Sequence, residues 1–104
     1  MQKTIIKVSS INWGKQVVYF NPELEFEAKY VNKIDKERLD GFWWYVDNKE
    51  FDIDTMGKSL SELIDNLKEN ILTQWDGIAM MDDDKLDNQS LVLKRKLIAR
   101  WIHD

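Results

Sequence analysis

Few residues in this chain could take part in chemistry, and their types narrow what that chemistry would be. His103 is the only histidine, sits next to the last residue, and is joined by no cysteine. A nucleophile-histidine arrangement, a thiolate or a His/Cys metal site therefore has almost no material, and His103 reads as a surface imidazole at a frayed end. Carboxylates are plentiful. Asp52 and Asp54 would share one face of a strand and could form an acid-base pair, although nothing near them in the sequence suggests a pocket. In "DDDKLD" (82–87) the spacing of Asp82 and Asp84 matches the start of a calcium loop, but Leu86 stands where the third ligand belongs and Asp87 where glycine is needed. Four scattered glycines make no phosphate cradle. No cofactor or metal is expected, and the enzyme reading is the weakest.

The remaining chemistry is that of binding. "LDGFWWYVD" (39–47) places Phe42, Trp43, Trp44 and Tyr45 in a row after an Asp-Gly turn signal. Alternate side chains of a strand point to opposite faces, so Phe42, Trp44 and Val46 form one set, and Trp43 and Tyr45, followed by Asp47, form the other. The first set is expected to face a helix. The second would share its face with Glu23, Glu25, Glu27, Asp52 and Asp54, an aromatic pair in an acidic field. Aromatics ringed by charge are the material of interface cores, so these seven residues are the candidate partner-binding site. The competing readings are that the last helix wraps over this face or that a homodimer buries it.

Charge supports a basic partner. The net charge of −4 is unevenly spread: residues 1–20 carry three lysines and no acid, residues 21–87 carry 18 acids against 8 bases, and residues 88–104 carry four bases against Asp104. An acidic centre repels nucleic-acid phosphates and attracts basic proteins, while its plainer role is to keep a small protein in solution. Lys94, Arg95, Lys96 and Arg100 cluster near the end and read as the solvated face of a helix, so direct nucleic-acid contact is not expected.

The elements that would position these residues follow from patterning. Leu, Ile, Val and Phe make 30 of the 104 residues, enough apolar surface for one folded domain. "KTIIKVSS" (3–10) and "QVVYF" (16–20) read as strands joined by a turn in "INWGK" (11–15), and Asn21-Pro22 is expected to end the second of them. "ELEFEAKYV" (23–31) alternates apolar and charged residues with period 2, the mark of a half-buried strand. After the charged connection 32–41, strands follow at 42–46 and 51–55, making five. "SLSE" (59–62) is a capping box, from which Leu60, Leu63, Ile64, Leu67, Ile71, Trp75 and Ile78 recur at spacings of three and four, predicting an amphipathic helix over 59–80. Leu91, Leu93, Leu97, Ile98, Trp101 and Ile102 predict a second helix over 88–102. The expected fold is α+β, one domain with a mainly antiparallel sheet packed on the long helix. The chain opens on no apolar run of leader length and holds none long enough for a bilayer, so it reads as cytoplasmic.

The run "DGFWWYVDNKEFDIDTMGKSLSELIDNLKENI" (40–71) resembles the HicB family of small antitoxins. The family pattern is an Asp-Gly-aromatic strand, a second strand, then Gly-x-Ser/Thr-x-x-Glu-Ala opening a helix. Asp40, Gly41, Phe42, Gly57, Ser59 and Glu62 match it; Leu63 stands where Ala is usual, and "DNKEFDI" replaces the family's Pro-Asp-Leu-Pro-Gly segment. The tail from Trp75 is similar to those of short bacterial proteins of the same layout. The resemblance implies a non-enzymatic module that blocks a small basic ribonuclease toxin by occupying it, some members adding a C-terminal DNA-binding segment. An inhibitor from a phage or mobile element, of anti-CRISPR or nucleic-acid-mimic type, whose acidic face fills the groove of a nucleic-acid-binding protein, is the alternative.

Overall fold

The computed structural model describes residues 2–32 and 41–102. Most of the connection 32–41, with Asp40 of the motif, lies outside them, as does His103. The fold is α+β: strands β1 (Gln2–Trp13), β2 (Gln16–Asn32), β3 (Phe42–Asn48) and β4 (Ile53–Gly57) form one antiparallel sheet in the order β1-β2-β3-β4, followed by helices α1 (Leu60–Gln74) and α2 (Asn88–Arg100). The chain groups into two compact units, Met1–Ile6 with Glu25–Leu67 and Lys7–Leu24 with Lys68–Asp104.

Among the described residues four strands replace the expected five because Pro22 does not end β2. The strand runs through it for 17 residues, keeping one parity, with Val18, Phe20, Leu24, Phe26 and Ala28 all buried and the odd-numbered residues from 17 to 29 exposed. Proline costs a strand one ladder donor, and Pro22 lies outside the register of β3 on β2, which spans Lys29 to Asn32. The hairpin turn is also tighter than "INWGK" suggested: only Gly14 and Lys15 form it, with Gly14 at φ +62°, a conformation open to glycine at little cost.

In the first unit the core is Ile6, Phe26, Ala28, Val46, Phe51, Ile53, Leu63 and Leu67, with the Phe26 and Phe51 rings 5.9 Å apart. The strand expected at 51–55 begins later, at Ile53. The Phe51 N–H donates to Asn48 Oδ1 at 2.8 Å, so it closes a side-chain turn instead of a ladder rung, and Asp52 stands at φ +52°, outside the extended region. α1 starts where the capping box places it: the Glu62 N–H donates to Ser59 Oγ at 3.1 Å and the Leu63 N–H to the Ser59 carbonyl at 3.0 Å. Replacing Ser59 by Ala is expected to cost about 1 kcal/mol, read as a lower urea midpoint with an unchanged slope.

In the second unit Val8, Ile11, Val18, Phe20, Leu24, Ile71, Trp75, Ala79, Leu93 and Leu97 are buried. The helix expected over 59–80 is α-helical only to Gln74 and widens into a π turn at Trp75–Ala79, where the Met80 N–H donates to the Trp75 carbonyl at 3.0 Å. α2 is capped by Asp87, whose Oδ1 accepts from the Ser90 N–H at 2.8 Å. It ends two residues before the expected boundary. Trp101 is extended and bridges to Phe20, and the Ile102 N–H donates to the Tyr19 carbonyl at 2.9 Å. An offer of backbone hydrogen bonds from β2 outweighs the helical periodicity of these last apolar residues.

Candidate functional site

The register of the first unit decides which residues share the face opposite its core. Trp43 and Tyr45 alternate with the fully buried Val46, and their Cα partners are Val31 and Lys29 on β2, with Met56 opposite Tyr45 on β4. Directly paired residues project to the same side of a sheet, so Lys29, Val31, Trp43, Tyr45, Asp47, Asp54 and Met56 lie together. Glu25 and Glu27 join them by the parity of β2, whose Phe26 and Ala28 are buried. Trp43 and Tyr45 are half-buried among neighbours, while Glu25, Glu27, Lys29, Asp47 and Asp54 are exposed. The face meets solvent.

Five of the seven expected site residues, Trp43, Tyr45, Glu25, Glu27 and Asp54, are thus brought together. Asp52 is on the turn before β4, so it does not pair with Asp54 along one strand face. Glu23 belongs to the second unit, where its carbonyl accepts from Arg100 Nη1 at 2.9 Å. The other aromatic set is less covered than expected: Val46 is fully buried, Trp44 only half, and Phe42 is 56% exposed. Trp44 stands opposite Gly57, where β4 hands over to the helix, and Phe42 lies one step beyond. Both rings lean on Tyr30 instead, with centroids at 5.3 Å from Phe42 and 5.0 Å from Trp44.

The face carries opposed carboxylates with lysines around them. Asp47 and Asp54 are direct cross-strand partners, an arrangement that like charges disfavour. Burial, the hydrogen bond to Asp54, and the charges of Asp54 and Asp47 together push the Tyr45 hydroxyl up to about 12, so this hydroxyl stays protonated and donates to Asp54. Lys29 and Lys3 approach Glu27 at 3.8 and 3.9 Å, and Lys49, with its side chain 88% exposed, approaches Asp47 at 3.3 Å. Exposed pairs of this kind contribute about 0–1 kcal/mol, so the carboxylates remain open to a better donor. Lys58 Nζ sits 4.8 Å from the centre of the Trp43 ring, a cation-π contact. A cleft of about 300 Å³ is lined by Glu27, Lys29, Tyr45 and Asp47.

Lys29 and Lys58 join this face without having been singled out in the sequence, and Asp47, read there as following Tyr45, gains Asp54 as its cross-strand partner. Parity along each strand offered a weak signal for Lys29 and Asp47, but the opposition of Asp47 to Asp54 depends on the length of the turn between them.

The basic cluster and the acidic loop have other duties. Lys94 Nζ donates to the Met81 carbonyl at 2.6 Å and to Asp83 Oδ1 at 2.7 Å, and that ammonium holds the Asp83 carboxyl below its usual range. Lys94 is therefore a fastener of the loop and not part of a solvated face. Asp87, at the calcium-loop position, caps α2. Among the described residues no group of three or more His, Cys, Asp or Glu could hold a metal ion, and no helix is long and apolar enough to cross a membrane.

No family model, no curated protein and no solved structure matches the chain.

Proposed function

We propose that this chain is a non-enzymatic, cytoplasmic binding module that blocks a small basic protein, in the manner of a HicB-like antitoxin, by covering it with the face of β2, β3 and β4. The observation that carries this reading is the placement of Trp43 and Tyr45, half-buried, amid the exposed carboxylates of Glu27, Asp47 and Asp54. Rigid aromatics supply contact area at small entropic cost, and exposed carboxylates held only by exposed lysines can select and steer a basic partner. The HicB-type residues Gly57, Ser59 and Glu62 support a strand-turn-helix unit of that kind through their structural roles at the α1 cap.

The test is a pull-down from the native host with the wild-type chain and with a Trp43→Thr/Tyr45→Thr variant. Threonine keeps strand propensity, so the variant is expected to lose only about 1 kcal/mol of stability while losing a central anchor. The expected result is a small basic protein held by the wild type, released by the variant, and inhibited as a ribonuclease when the purified wild type is added. Equal retention by both chains would remove this face from the interface. A captured partner that is no ribonuclease, but is displaced from nucleic acid by the wild type, would replace the antitoxin reading with that of a mobile-element inhibitor.

A further inference from the structure

We infer that the β2-β3-β4 face recognises an arginine side chain of its protein partner, seated in the cleft between Glu27 and Asp47 against the Tyr45 ring; this rests on the reading of the face as the partner surface. The cleft's volume of about 300 Å³ lies at the bottom of the range for small-molecule sites, so it suits one long side chain better than a whole ligand. Its walls are two carboxylates, an aromatic ring and the Lys29 side chain. A guanidinium is planar, carries five N–H donors in a fixed fork, donates to carboxylates at two edges and stacks on an aromatic face, whereas an ammonium is a strongly hydrated point charge that can do only part of this.

The neighbours sort the roles. Tyr45 donates its hydroxyl to Asp54, which leaves Asp47 as the carboxylate with the weaker partner, a lysine whose side chain is 88% exposed. Asp47 is the anchor. Across the cleft, Lys29 reaches Glu27 only at 3.8 Å, with nearly half of its own side chain exposed, so it is a loose internal substitute that an incoming guanidinium displaces. Lys58 over Trp43 shows the same face already holding a cation on its other ring. The directly opposed pair Asp47 and Asp54 adds repulsion that a bound cation relieves.

The experiment titrates the full chain, at low salt, with three capped pentapeptides that differ only in a central arginine, lysine or citrulline, following backbone amide shifts by NMR. The arginine peptide is expected to move residues 27, 29, 45 and 47, to bind roughly fivefold or more tightly than the lysine peptide, and to lose its advantage on citrulline substitution, because the charged fork is the recognised feature. Asp47→Asn is expected to weaken the arginine peptide about tenfold, and Lys29→Gln to strengthen it. Equal binding of the arginine and lysine peptides, or indifference to Asp47→Asn, overturns the arginine assignment while leaving an acidic partner face. Absence of shifts on this face with either basic peptide overturns the assignment and the reading beneath it.

Discussion

Replacing Trp75 by Ala is expected to lower the stability of the chain by about 4–5 kcal/mol, the upper end for a buried aromatic. The side chain is fully buried, and three rings meet it edge to face: Trp101 at 5.1 Å, Phe20 at 5.8 Å and Trp13 at 6.4 Å. Truncation removes the largest fully buried side chain of the second unit together with three aromatic pairs, each contributing roughly 0.5–1.5 kcal/mol beyond area alone. Against a total of about 5–15 kcal/mol for a domain, the loss takes a large share. Trp75→Phe discriminates between packing and polarity. The Trp75 Nε1 is buried with no hydrogen-bond acceptor among the described residues, so phenylalanine leaves a smaller void than alanine and removes that donor, and its cost is expected to stay near 1–2 kcal/mol. Urea denaturation of the two variants gives the comparison. A loss below about 1 kcal/mol for Trp75→Ala would show that the rings close over the space or were never packed around it.

Gly57→Ala is expected to cost about 3 kcal/mol for a different reason. A Cβ on Gly57 would lie 2.5 Å from the Leu63 nitrogen, 2.9 Å from its Cα and 3.0 Å from the Glu62 carbonyl carbon. All three are backbone atoms of the first turn of α1, so no side chain can swing away; the helix itself must retreat. Retreat strains the Asn66 Nδ2 bond to the Met56 carbonyl, 2.8 Å long, and opens the packing of Leu63 and Leu67, both fully buried. Overpacking commonly costs 1–3 kcal/mol and more where the obstruction is rigid. Gly77→Ala is the control: nothing lies within 4 Å of its added Cβ, and alanine is the better helix former, so stability is expected to hold or rise by up to about 1 kcal/mol. Equal midpoints for the two variants would mean that the strand-to-helix approach is looser than 2.5 Å.

Gly57 also shows how far a motif can be read. Gly-x-Ser-x-x-Glu was legible as turn and cap, and the Ser59 bond to the Glu62 N–H bears that out. The reason for glycine was not legible, since it is a contact with Leu63, six residues away in the chain and brought back by the turn into α1. The acidic-aromatic face divides in the same way. Trp43 and Tyr45 fall on the side opposite Val46 because strand parity is a local property. Asp52 falls off that side because an Asx turn at Asn48 consumes the Phe51 N–H, and the sequence pattern alone could not tell a turn from the start of a strand.

Local periodicity determined the fold class, the capping box, the buried stripe of α1 at Leu63, Leu67 and Ile71 with its continuation at Trp75, and the two faces of β3, because each depends on residues a few positions apart and on backbone geometry common to all chains. Tertiary structure alone decided that Pro22 sits inside a continuous strand, that Trp101 and Ile102 leave the helix to pair with Phe20 and Tyr19, that Lys94 fastens the acidic loop, and that Asp47 opposes Asp54. In the last three of these the deciding hydrogen bond or charge comes from elsewhere in the chain, from as near as the far side of the β3-β4 turn to as far as the opposite end of the sequence. Which of several locally acceptable conformations wins is set by where that partner stands once the chain has folded.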